Sequence, residues 1–177
     1  MKSMVQIVLQ DKKSGEICGI RESNEIPGTD YWIDCDEDSL IVKGDFPSPK
    51  KQIIRNEIPV FSKDLLPVCA YDEECNVLMQ AFVNKNAIEL SLKEGSAHYF
   101  SRSRNKMWKK GEESGHIQKI RKILFLPDYD LFLYEVDQKS AACHTGHYSC
   151  FYRLRSGKEE LIVSEKIFEP GKVYKNP

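Results

Sequence analysis

Apolar residues along this chain recur in short alternating runs separated by polar turns, the period-two pattern of half-buried β-strands. Before residue 50, MVQIVLQ, YWIDC and SLIVKGDF carry that pattern, with turns expected at KKSGE and IPGTD. FPSPKK, from Phe46 to Lys51, contains two prolines and reads as a linker or turn. Beyond it, LLPVCAYD and NVLMQAFV read as strands joined by the turn DEEC. AHYFSRS, HIQKIRKILFL, DLFLYEVD, SCFYRLR and ELIVSEKIF read as further strands, with a turn at PDYD. One segment departs from the alternation. Asn84 can cap a helix from Lys85 to about Glu94 that Gly95 stops, and Ala87, Ile88 and Leu92 share one of its faces. The expected fold is α+β, a mostly antiparallel sheet with one main helix, plus a small β-rich amino-terminal unit. The boundary is placed at residue 50, giving units 1–50 and 51–177. The first is too small for a core of its own and is expected to pack on the second.

Composition narrows the function classes. The 177 residues carry 26 Lys and Arg against 27 Asp and Glu, a formal net charge of −1. Neither bulk nucleic-acid binding nor membrane binding is expected from that balance, so any anion recognition must be local. No segment approaches the roughly 20 apolar residues of a membrane span. The first residues lack the apolar run and cleavage site of a signal peptide, and a cytoplasmic location is expected. There, Cys18, Cys35, Cys69, Cys75, Cys143 and Cys150 are expected as reduced thiols or metal ligands rather than disulfides.

Three clusters carry candidate chemistry. The first runs from Cys143 to Cys150 and includes His144 and His147. Thiolate and imidazole are the ligand types zinc prefers, and the spacing is wider than that of a structural zinc knuckle. Two ligands here and a third from elsewhere would leave a position for water. The competing reading is two buried cysteines and two surface histidines. The second cluster is Ser101-Arg102-Ser103-Arg104, followed by Trp108, Lys110, Gly111, Ser114, Gly115 and His116. Arginines at alternate positions on one strand face suit bidentate binding of phosphate. Trp108 offers a stacking surface, and Gly111 and Gly115 allow close backbone approach. The competing reading is a solvated basic loop. The third, Asp128-Tyr129-Asp130, reads as a hard-cation site or as ordinary turn chemistry, and the turn is preferred.

Together these stretches resemble the phosphoribosyl-AMP cyclohydrolase family of histidine biosynthesis. The resemblance covers about residues 64 to 175. It rests on NVLMQAFVNKNAIELSLKEGSAHYFSRSRNKMWKKGEESGHIQKIRKI, on ACHTGHYSCFYR and on the tail KIFEPGKVY. It implies a homodimer that holds Zn²⁺, and Mg²⁺, near the subunit interface. It implies a phosphoribosylated adenine nucleotide as substrate and hydrolysis of the N1–C6 bond of its purine ring. Cys143 and Cys150 match the family's zinc cysteines. His116 and His144 match motif histidines and are the proton-transfer candidates. Ser101, Arg102, Ser103, Arg104, Trp108, Lys110, Gly111, Ser114 and Gly115 fall in the segments that match its phosphate and ribose contacts. Two alternatives stand beside this reading: a paralogue acting on another purine-like nucleotide, and a non-catalytic nucleotide-binding protein.

The chain also departs from the family pattern. An Asp-Cys-Asp-x-Asp element is expected ahead of CHTG, supplying a third zinc cysteine and magnesium carboxylates. Leu126-Pro127-Asp128-Tyr129-Asp130 stands there, and proline cannot ligate a metal. The missing element occurs far upstream as Asp34-Cys35-Asp36-Glu37-Asp38, followed by the apolar run Leu40-Ile41-Val42. Cys35 is expected as the third zinc ligand, with Asp34, Asp36 and Asp38 as magnesium candidates. His147 is the rival third ligand, and the competing reading of the upstream element is an acidic turn with a chance cysteine.

Overall fold

A computed structural model describes residues 4–174. Residues 1–3 and 175–177, at the outer ends of the two expected units, lie outside the described residues. The chain begins with the antiparallel hairpin β1 (Val5–Asp11) and β2 (Ile17–Ser23). The antiparallel pair β3 (Tyr31–Ile33) and β4 (Ser39–Gly44) follows, with β4 parallel to β1. After a short edge strand β5 (Gln52–Ile53) comes the hairpin β6 (Leu66–Tyr71) and β7 (Val77–Val83). Helix α1 (Lys85–Glu94) leads to β8 (His98–Ser101) and β9 (Lys106–Lys109). Then come β10 (Gln118–Leu126), a 3-10 turn (Pro127–Tyr129) and β11 (Leu131–Gln138), with β11 parallel to β6. The last elements are β12 (Arg153–Ser156), β13 (Glu159–Ile162) and a short helix α2 (Pro170–Val173).

These strands form two sheets, in the orders β13-β12-β3-β4-β1-β2 and β5-β10-β11-β6-β7-β8-β9. The mixed, mostly sheet fold with one main helix agrees with the sequence reading, with β4 and β11 as parallel exceptions. The amino-terminal strands are not a sheet of their own. β12, from the far end of the chain, pairs with β3 in the register Arg153 to Ile33. Residue 50 falls where the chain passes from the first sheet to the second, and β12 and β13 later return to the first.

Helix α1 forms for the expected reasons. The Asn84 side chain accepts the Ala87 N–H at 2.8 Å, and Gly95 ends the helix at φ +65°. Ala87 and Ile88 are buried against one face of the second sheet, among Val68, Phe125, Phe132 and Tyr134. The other face of that sheet meets the first sheet. Val8, Ile17, Ile20 and Ile41 share one buried cluster with Cys69, Val77, Leu124, Leu131, Leu133 and Phe151. Fully burying each such side chain stabilises by roughly 1.5–3 kcal/mol, so this contact is what unites the two sheets. Among the described residues, no helix is long and apolar enough to cross a membrane.

Three local expectations are corrected. β2 escaped detection because Gly19, Arg21 and Glu22 interrupt its apolar alternation. β9 escaped because Lys106 and Lys109 bracket a run of only two apolar residues. The strand through Ser101 ends there, and Arg102 and Arg104 lie in the β8–β9 turn, where Asn105 takes φ +48°. The two arginines therefore do not share a strand face.

Because one cluster joins the sheets, unfolding should be a single cooperative event. Ile41→Ala is expected to cost about 2–5 kcal/mol in chemical denaturation, with both sheets still melting together. Two separate transitions would contradict a shared core.

Candidate metal centre and pocket

The segment between β3 and β4 is a tight turn built by its own aspartates. Asp34 is buried, and its Oδ1 accepts the N–H groups of Asp38 at 3.1 Å and Ser39 at 3.2 Å. Burial, then the charges of Asp38 and Asp36, pushes its carboxyl up to about 7. Glu37 sits at φ +62° and is held by Arg153 at 3.0 Å and Arg155 at 2.9 Å. Arg153 also donates to the Asp34 carbonyl. β12 therefore clamps the turn that carries Cys35. Continuing the antiparallel register two residues past the Ile33–Arg153 pair brings Cys35 opposite Phe151, next to Cys150.

The second half of the centre is the loop between β11 and β12. Gly146, at φ +97°, donates its N–H to the Cys143 carbonyl, and the Cys143 N–H returns to the His147 carbonyl. A Cβ at Gly146 would collide with the Phe168 carbonyl oxygen, so a glycine is required where the tail crosses the loop. The Cys150 N–H is tied to the Leu78 carbonyl at 2.8 Å.

These two pieces meet. The donor atoms of Cys35, Cys143 and His144 all lie within 4.8 Å of one another. The Cys150 thiol interacts with those of both Cys143 and Cys35. Hydrogen bonds from Cys150 and Cys35, with a further one at 2.9 Å to Thr145, hold Cys143 far below the usual thiol range. Cys35 and Cys150 are pushed up, chiefly by their hydrogen bonds with Cys143. Lys110 is buried beside them and donates from Nζ to the Ala142 carbonyl. Burial lowers its pKa while the three cysteines push the other way. His147 is elsewhere. It stacks flat on Tyr152 at 3.7 Å, and its Nδ1 lies 3.3 Å from Ser164 Oγ.

A pocket of about 430 Å³ opens beside the cysteines. Asp34, Cys35, Asp36 and Asp38 form one wall, and Trp108, Lys110, Gly111 and Ser114 contribute another, with His144 and Cys150 between. Arg104 lines this pocket and an adjoining hollow that also holds Ser101, Arg102 and Ser103. The Arg102 guanidinium stacks 3.9 Å over Phe82, which leaves its edge free to bind an anion. Gly111 needs its missing side chain, since at φ +80° a Cβ would lie 2.5 Å from the Ile117 nitrogen.

Some expected residues are not on the pocket wall. His116 packs edge-on against Phe168 at 4.6 Å, and its buried Nδ1 has no hydrogen-bond partner among the described residues. Desolvation, then Lys110 and Lys139, lowers its pKa. Gly115 takes φ +76° but does not line the pocket. Asp128 and Asp130 do not line it either, and Asp130 accepts Ser62 Oγ at 2.9 Å, as ordinary turn chemistry predicts. Sequence reasoning missed Gln80, whose Oε1 accepts Ser39 Oγ at 2.6 Å, and Tyr174, which reaches the pocket from the tail. The tail motif KIFEPGKVY was the available signal for Tyr174. A glutamine within a strand gives none for Gln80.

The sequence profile of the phosphoribosyl-AMP cyclohydrolase family matches residues 79–152. A phosphoribosyl-AMP cyclohydrolase of Methanospirillum hungatei is 54% identical over 114 residues, spanning 64% of this chain and 85% of that protein. One from Methanoregula boonei is 53% identical over 111 residues, 62% of this chain and 88% of that protein. A histidine biosynthesis bifunctional protein of Thermoanaerobacter pseudethanolicus is 50% identical over 122 residues, 68% of this chain and 56% of that longer protein.

Proposed function

The chain belongs to the phosphoribosyl-AMP cyclohydrolase family, and on that premise we propose that it is a zinc-dependent hydrolase opening the adenine ring of phosphoribosyl-AMP at the N1–C6 bond. The observation that carries this reading is the convergence of Cys35 on Cys143 and Cys150 beside a pocket lined by Arg104, Trp108 and His144.

The donor set fits zinc. Three sulfurs and a nearby imidazole are soft and borderline ligands, and three thiolates so close together need a cation to stay charged. Cys35, Cys143 and Cys150 would hold the ion. Zinc supplies, when bound, a water whose pKa falls to roughly 7. Magnesium does not fit in the same way. No three carboxylate oxygens of Asp34, Asp36 and Asp38 lie within 4.8 Å of one another, and Asp34 is already committed to its turn.

The remaining chemistry belongs to the chain. Arg102 and Arg104 bind phosphate, with Ser101 and Ser103 as neutral donors. Trp108 stacks on the base, and Gly111 lets backbone approach the ribose. Alkylation at N1 leaves C6 electrophilic, so water adds there. His144, on the pocket wall, accepts a proton from the adding water and returns one to N1 as the C6–N1 bond breaks. C6 and the exocyclic nitrogen leave that step as a carboxamide. His116, which is not on the wall, is assigned a positioning role through the tail at Phe168.

An ultraviolet assay of ring opening on phosphoribosyl-AMP tests the reaction. Turnover that depends on zinc is expected, and no turnover in zinc-loaded protein would refute it. Cys35→Ser should lose both zinc and turnover, whereas His147→Ala should keep its zinc. The reverse pattern would make His147 the third ligand.

The arginines make a separate prediction. Arg102→Ala and Arg104→Ala should each raise KM about ten- to a hundredfold, from the loss of roughly 1.5–3 kcal/mol per charge-assisted contact. Lowered turnover at unchanged KM would show that they do not bind the phosphate.

A further inference from the structure

The two sheets carry the same four-stranded unit. In the first, the order is β3-β4-β1-β2; in the second, it is β10-β11-β6-β7. Each unit has one parallel pair, β4 with β1 and β11 with β6, flanked by two antiparallel pairs. Each hairpin has its register irregularity at the corresponding place, between Leu9 and Gln10 and between Ala70 and Tyr71. Each then turns at an aspartate, Asp11 or Asp72, whose carboxylate accepts amides of its own turn.

The equivalence holds residue by residue. Setting Leu9 on Ala70 places Val8 on Cys69. The parallel pairs then place Ile41 on Leu133, and the antiparallel pairs place Trp32 on Leu124. No gap is needed, and continuing the count into the following turn sets Cys35 on Pro127. A short link, residues 24–30, stands where the second unit carries α1, β8 and β9.

The units also meet through equivalent positions. The buried cluster between the sheets contains Val8 with Cys69, Ile17 with Val77, and Ile41 with Leu133. A patch that meets its own equivalent is an isologous contact, the arrangement of a two-fold dimer. The two equivalent turns have opposite fates. At one, Cys35 joins Cys143 and Cys150, and Met79 lines an open pocket. At the other, Pro127 replaces the cysteine, and Gly19 replaces Met79. The Tyr129 ring fills that space, 2.5 Å from where a Cβ on Gly19 would stand.

We propose that residues 5–44 are a stripped internal copy of the sheet unit in residues 66–138, and that this copy does within one chain the work of a second subunit. Each chain then completes one site in cis and keeps the equivalent position plugged by Tyr129. The homodimer implied by the resemblance has no part in completing this site. The metal arm of the test rests on the zinc reading above; the mass arm does not.

Cys35→Ser and Cys143→Ser chains, co-expressed under two different tags and captured together or separately, test the proposal. Wild-type protein should sediment as a single 20.4 kDa chain and hold about one zinc. The co-expressed pair should hold no more zinc than either variant alone. Zinc restored in the pair would show ligands shared between chains and would overturn the proposal. Wild-type protein of twice the single-chain mass would overturn it as well. If wild-type protein binds no zinc, the metal reading fails, and the sedimenting mass still decides the internal copy.

Discussion

The pairing of β3 with β12 is the constraint on which the rest of the molecule depends. β3 ends just before Cys35 and β12 begins just after Cys150, so their register fixes how far apart the two sulfurs stand. Two kinds of force act on this pairing, and their sizes differ. The apolar faces of the two sheets contribute roughly 1.5–3 kcal/mol for each buried side chain. The ion pairs of Arg153 and Arg155 with Glu37 are partly exposed, and such pairs contribute only about 0–1 kcal/mol each. Burial therefore brings the sheets together, and the arginines help to fix the β3–β12 register within the first sheet. Arg153 has a second use, since it also bonds the Asp34 carbonyl and so holds the backbone next to Cys35.

The electrostatics of the centre follow from that placement. Three sulfurs crowded beside one another cannot all be charged without a counter-ion. Hydrogen bonds from the other thiols and Thr145 hold the Cys143 thiol below its ordinary range and so favour negative charge there. Lys110 offsets part of it from a buried position beside the cluster. A divalent cation would take the place of the remaining protons, and its binding would be coupled to their release. The same ion would join the β3–β4 turn to the β11–β12 loop, so metal affinity and the stability of that contact become one quantity.

Local signals were legible in the residues, and long-range ones were not. Asn84 and Gly95 announced helix α1 because caps act within one turn of the chain. Cys35 was legible because Asp34-Cys35-Asp36-Glu37-Asp38 is a distinctive string, and the structure brings that cysteine to the CHTG loop. The turn at Arg102 was misread as strand because alternation of serine and arginine mimics a pleat. The return of β12 and β13 to the first sheet was hidden for a different reason. FPSPKK is a true local break, but strand pairing across the whole chain leaves no trace in composition. The repeated sheet unit was hidden because its equivalent residues, such as Val8 and Cys69 or Ile41 and Leu133, share only apolar character.

The central claim is that one ion is held by sulfurs from the β3–β4 turn and the β11–β12 loop, and X-ray absorption at the zinc edge measures this most directly. The purified protein should show three sulfurs at about 2.3 Å and one lighter ligand. The Cys35→Ser protein, which should lose its zinc on purification, should show only two sulfurs when zinc is added back in excess. Two sulfurs in the wild-type spectrum, unchanged by Cys35→Ser, would contradict the account.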